Sequence, residues 1–270
     1  MLKKQFLFIL MLQTMSIASL YSSSSIDKAA FRRACRQNKT EEVERILERN
    51  NQSTCEELLN TKFIKYIDSS LKDCPLFLAI KNQNLELINI LLAYGANPNI
   101  IDGWNDNTPL TQLFQTRECS QITAITQALL NAGADPNIKD SFGNTSLEAF
   151  VYDQKEHPQM TTIIKALIDA GANPNRYCDN NHTSLHIAAE IKNIEVIRRL
   201  LKHNADPNAQ VNVIKDTPLT LLLKNNSNEY LEITAIPKNS LASTVEELLA
   251  AGANPFLKNT NKQNVISYAK

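Results

Sequence analysis

Glycine is scarce in this sequence: there are six in 270 residues. Several of the six recur at one place in a repeated phrase, which leaves too few for a phosphate-cradling loop. No Gly-x-Gly-x-x-Gly, P-loop, Gly-x-Ser-x-Gly or His-Glu-x-x-His pattern occurs. Aromatics make up only 6% of the residues, few for a core built around a cofactor. Net charge is absent as well. Lys plus Arg and Asp plus Glu each total 28, so the basic excess that would neutralise phosphates is missing and nucleic acid is not expected as a partner. No Cys-x-x-Cys pair occurs among the five cysteines (35, 55, 74, 119 and 178), and their odd number implies no disulfide framework. Paired carboxylates placed for acid–base work are lacking too: Glu41-Glu42 and Glu246-Glu247 fall at helix starts, where negative charge suits the dipole. The sequence therefore offers no catalytic residue and calls for no cofactor or metal.

No apolar run is long enough to span a bilayer, which takes about 20 residues. The longest, Phe6 to Leu12, follows Lys3 and Lys4 and is broken at Gln13 and Thr14; Ala18, Ser19 and four serines from Ser22 come next. That is the layout of a secretory signal peptide over residues 1–25, with the mature chain starting between 19 and 26. The expectation is an exported protein, secreted or periplasmic, with no stable membrane span once processed. Without Lys3 and Lys4 the remainder carries two more acidic than basic residues.

What is present is a repeat. One phrase returns five times: Gly95-Ala-Asn-Pro-Asn99, Gly133-Ala-Asp-Pro-Asn137, Gly171-Ala-Asn-Pro-Asn175, Asn204-Ala-Asp-Pro-Asn208 and Gly252-Ala-Asn-Pro255. Each follows a pair such as Leu91-Leu92 or Leu167-Ile168. A second phrase follows the first: Thr108-Pro-Leu110, Thr145-Ser-Leu147, Thr183-Ser-Leu-His186 and Thr217-Pro-Leu219. Each piece has a physical reason. Thr caps a first helix, and Pro at its first position gives up no donor that the helix uses. The Leu then opens a buried stripe. A second helix carries apolar residues at helical spacing, as in Leu85, Ile88, Leu91 and Leu92. Gly ends it in the left-handed conformation that a side chain disfavours, and Asn204 is the best substitute. Pro-Asn turns the chain out into a hairpin finger.

These phrases resemble the ankyrin repeat, and the copy from Thr183 to Asn208 is the best. The resemblance implies an all-α solenoid of stacked helix–turn–helix units with hairpin fingers, over residues 26–270. Units lie near 74–99, 108–137, 145–175, 183–208 and 217–255, with a degenerate N-terminal cap at 29–50 and a half unit at 264–270. Residues 51–73 are longer than a finger needs and have room for a short helix around Cys55–Leu59. From the Thr position to the Gly position, two units span 21 residues and the others 25, 26 and 35. The extra residues fall around 115–122, 153–160 and 226–240, in the helices or the turn between them.

The resemblance also implies a protein partner, bound on the concave face by a monomer. Inner-helix positions without a packing duty are Arg36, Gln37, Lys81, Asn82, Gln115, Thr116, Tyr152, Asp153, Glu190, Ile191, Lys224 and Asn225. Finger tips include Trp104, Asn105, Ser141, Phe142, Asp179 and Asn180. The candidate partner-binding set is Trp104, Phe142, Gln115, Tyr152, Lys81 and Glu190, with Trp104 and Phe142 on adjacent tips as aromatic anchors. His182 and His186 stand four apart, a zinc-like spacing, but His186 is the family's repeat histidine, whose work is hydrogen bonding, and a third ligand is missing. Two other readings stand beside export to an outside partner: a resident periplasmic or envelope protein, and an enzyme that uses the 226–240 insertion.

Overall fold

The computed structural model describes residues 28–60, 74–103, 105–116, 119–153, 158–211, 214–227 and 238–268. The signal-peptide segment, Trp104 and most of the 226–240 insertion lie outside the described residues, as does the side chain of Asn225. Every regular element described is a helix. Chain contacts divide the protein into two compact units that meet at residues 97 and 98 in sequence.

In the first unit, helix α1 (28–36) is followed by α2 (Thr40–Arg49), α3 (Gln52–Leu59), α4 (Pro75–Lys81) and α5 (Leu85–Ala93). The apolar face of α2 is buried through Val43 and Leu47, and α5 packs on both α2 and α4. Helix α3 stands at the start of the segment 51–73 that is longer than a finger needs. Asn51 caps it by accepting from the Thr54 N–H at 2.9 Å, and Cys55, Leu58 and Leu59 are buried.

The second unit holds four helix pairs and a final 3-10 turn. The pairs are α6 (Pro109–Gln115) with α7 (Ile122–Asn131), α8 (Ser146–Asp153) with α9 (Met160–Asp169), α10 (Ser184–Glu190) with α11 (Ile194–Lys202), and α12 (Pro218–Ser227) with α13 (Lys238–Ala250). The expected first helix of the half unit is a single 3-10 turn, Val265–Tyr268, packed on α12. First helices pack on first helices along one row (α6, α8, α10, α12), and second helices on second helices along another. Each repeat thus buries its faces against its neighbours. Leu110, Leu147, Leu185 and Leu219 are all fully buried at the same place in their repeats.

Three devices hold the repeats in register. The residue three past each cap Thr (Thr111, Glu148, His186 and Thr220) reaches back to the cap's own backbone N–H. Each second helix ends on a left-handed residue: Gly133, Gly171 and Gly252 have φ between 87° and 92°, and Asn204 has φ 62°. Beyond it, the last Asn of the phrase ties one repeat to the next. Asn99, Asn137, Asn175 and Asn208 each donate from Nδ2 to the carbonyl of the next repeat's left-handed residue, at 2.8–2.9 Å. Their Oδ1 atoms accept from the N–H two residues further on, at 2.7–3.0 Å. In the first unit Asn60 does the same to Gly95 and Asn97.

The insertions fall between the two helices of a repeat. In the two units without one, Asn84 caps α5 and Asn193 caps α11, accepting from the Leu87 and Val196 N–H groups at 2.9 and 3.1 Å. Helices α7 and α9 follow insertions, and there Gln121 and Gln159 stand at the start without a side-chain cap. Helix α12 is lengthened to ten residues and α13 to thirteen.

All five cysteines are buried and free. Burial pushes the Cys35 thiol up to about 12, with neighbouring Cys74 adding to the shift. Packing accounts for both residues. No described helix is long and apolar enough to cross a membrane.

Candidate functional site

The face made by α6, α8, α10 and the fingers between them carries a cavity of about 670 Å³. Gln115, Tyr152 and Glu190 reach it from the ends of three successive first helices, and Phe142 from a finger tip. Four of the six residues expected from sequence therefore meet in one groove. Lys81 ends α4 in the first unit and is exposed there; Trp104 lies outside the described residues.

The fingers that shape the groove are fixed from within. Asp140 opens its finger, and its Oδ1 accepts from the backbone N–H groups of Phe142 and Asn144, both at 2.9 Å. This Asx-type turn holds Phe142 outward, where 60% of it is exposed. Gly143 follows with φ 72°, and a Cβ there would fall 1.9 Å from Asp179 Oδ1 on the neighbouring finger. Lys139 and Asp179 form an ion pair at 3.2 Å across those two fingers.

One pairing rule runs along the row of first helices. The residue just before each cap Thr, which precedes the first helix, and the residue eight further on, at or near that helix's end, form a recurring pair of positions. Asn107 and Gln115 exchange two amide hydrogen bonds, both at 3.1 Å. His182 Nε2 lies 3.5 Å from Glu190 Oε1, and Lys224 Nζ lies 3.2 Å from Asp216 Oδ2. At Asn144 and Tyr152 the same spacing brings no hydrogen bond between the two side chains, and Tyr152 is 67% exposed. Gln115 is thus tied to its own repeat and is not the free position the motif count suggested. Glu190 is held in the same way by His182.

Titration follows from these contacts. The hydrogen bond to Glu190 raises the pKa of His182 against the opposing effect of burial, and the Asn180 carbonyl, 2.8 Å from Nδ1, helps. Burial lowers His186 to about 4. Its Nδ1 accepts from the Thr183 N–H at 3.2 Å, so Nε2 carries the proton toward the Asp216 carbonyl at 3.3 Å. Both histidines are engaged in the repeat framework as the sequence suggested. Among the described residues no group of three or more His, Cys, Asp or Glu is placed to hold a metal.

Sequence reasoning overlooked Asp140, Asn144 and His182 as residues of the groove. For Asn144 and His182 the signal was available in the spacing of eight, which sets complementary side chains at three of four rungs.

A family model described as ankyrin repeats (3 copies) matches residues 116–211, and one described as ankyrin repeat matches residues 72–103. No curated protein matches the chain. The repeated phrase, the two rows of helices and both family models lead to one conclusion: the chain is an ankyrin-repeat protein, and its repeats are a protein–protein interaction scaffold.

Proposed function

We propose that the chain is an exported, non-catalytic monomer that binds a partner protein in the groove between α6, α8, α10 and their fingers. One observation carries the site: Phe142 and Tyr152 stand 60% and 67% exposed at the same cavity, while Phe114 and Phe150 of the same helix row are buried against each other. Exposed rings beside a groove are the side chains that anchor partners. The short basic start and the interrupted apolar run of residues 3–14 support export.

Site-specific photo-crosslinking in the native host tests the site. A benzophenone side chain at 142 or 152 should give an adduct with one protein, and the same group at exposed Gln127 on α7 should not. Equal adducts from all three positions would sink the reading. Sequencing the N-terminus of the native protein tests export: the expected start lies between residues 19 and 26, and an intact residue 1–18 segment on a soluble cytoplasmic protein would refute it.

A further inference from the structure

We propose that a branched aliphatic side chain of the partner protein docks in the recess over Ala149, beside Phe142 and Tyr152. This rests on the reading of the groove as the partner site and specifies what enters it.

The recess is a missing side chain. The residue four past each cap Thr is Gln112, Ala149, Ile187 and Leu221 in successive first helices. Ile187 and Leu221 fill that place in their own repeats and are buried there; Ala149 is the smallest of the four. Tyr152 stands one turn further along α8 than Ala149, on the same side of the helix. Both line the cavity, and so do Phe142, Cys178 and, from the next first helix, Ile187. Ala149, Cys178 and Ile187 are buried, whereas the two rings are largely exposed. The bottom of the cavity is therefore apolar and one branched side chain short of what the following repeats carry, with two open rings at its mouth.

Charge points the same way. Glu190 is paired with His182, and Gln115 is bonded to Asn107. Asp153 has a partner of its own. Asp140 accepts from the Phe142 and Asn144 N–H groups, and burial pushes its carboxyl toward the neutral form. A charged group of the partner would thus give up its hydration with no opposite charge left to receive it. An aliphatic group gives up nothing polar and gains the burial that an apolar pocket offers. What Ala149 lacks relative to Leu221 is an isopropyl group, so the recess takes the end of a Leu, Ile or Val side chain better than a flat ring.

The test uses the full chain and peptides selected against it from a displayed random library. Selected peptides should share a Leu, Ile or Val. Its replacement by alanine should weaken binding by more than about tenfold, as truncation of an interface anchor does. Ala149→Leu fills the recess from within, with the side chain that Leu221 buries at the same place, and should weaken the parent peptide by a similar factor. On that variant the alanine replacement in the peptide should cost little more, because both changes remove one contact. Peptides lost on Tyr152→Ala or Phe142→Ala but indifferent to Ala149→Leu, or to truncation of their aliphatic residue, would overturn this assignment and leave the groove standing. A shared charged or aromatic residue in place of the aliphatic one would do the same. Binding indifferent to Tyr152→Ala and Phe142→Ala alike, or a library that yields no binder, would overturn both. The peptide arm leaves the protein untouched, so misfolding of a variant does not blur the outcome.

Discussion

The hydroxyl of Ser184 donates to the carboxylate of Glu148 in the preceding repeat, and both side chains are fully buried. Ser184 stands where the family phrase has proline, and the contact explains it: proline there would leave Glu148 one donor short. The hydroxyl and backbone N–H of Thr145 supply the others. Ser146, at the matching place one repeat earlier, is buried with its hydroxyl unpartnered.

Burial raises the pKa of Glu148, and the hydrogen bonds from Ser184 and Thr145 pull it only partly back. A folded-state value above the unfolded one means that the folded chain holds the proton more tightly. Its stabilising effect is full below the unfolded glutamate value and is lost as pH rises through the folded value. Relative to Glu148→Gln, the native protein should therefore lose urea stability with rising pH, at no more than about 1.4 kcal/mol per pH unit. A native-minus-variant difference that stays flat from pH 4 to 8 would contradict the burial argument.

The asparagine rungs predict a uniform cost. Asn137→Ala removes two hydrogen bonds to the next repeat, those to the Gly171 carbonyl and the Asn173 N–H, and should cost about 1–2 kcal/mol. Asn175→Ala should cost the same within about half of that, since it makes the same two bonds. Denaturant midpoints of the two variants check it; a large inequality would mean that the rungs are not equivalent.

Leu185→Ala opens a cavity in a fully buried layer and should cost about 2–5 kcal/mol. Helices α8 and α12 both pack on α10, so hydrogen exchange should quicken in all three. Loss of protection confined to residues 183–208 would show that the repeats do not share their stability.

Gly143→Ala meets two penalties. The left-handed φ of 72° costs about 1–2 kcal/mol for a residue with a Cβ, and the new carbon must displace the Asp179 side chain from its ion pair with Lys139. Adding Asp179→Ala should recover the second penalty and leave the first. Thermal melts of the single and double variants separate the two.

Tyr152→Ala should weaken partner binding by about 2 kcal/mol or more and leave the melting temperature nearly unchanged, because the ring is mostly exposed. Calorimetric titration with the crosslinked partner decides. A fall in affinity that only follows a fall in stability would make Tyr152 a structural residue.

The architecture was legible because the repeat's backbone needs are chemically narrow. Gly or Asn at a left-handed helix end, Thr before a first helix and Leu on its buried stripe leave few alternatives, and they recur in one phase. The groove was half legible. Counting from Thr145 and Thr183 placed Tyr152 and Glu190 on its floor, but nothing in the count showed that Gln115 is occupied by Asn107. That contact depends on how a finger folds back onto a helix, and the fingers vary in length and turn chemistry. Asp140 was missed for the same reason: its place in the groove follows from the finger turn that it holds, where its Oδ1 accepts from the Phe142 and Asn144 N–H groups.

Each asparagine rung reads only main chain, a carbonyl and an N–H of the following repeat, and no side chain of that repeat takes part. Any unit that closes its second helix with a left-handed residue can accept the rung from any other. Such a joint is interchangeable: exchanging one repeat for another demands no re-matching of side chains at the rung itself. The Glu148–Ser184 contact is the opposite kind of joint, keyed to its neighbour, as is the Arg198–Glu247 ion pair between α11 and α13, and a recombination point at either would carry a penalty that the rung itself does not.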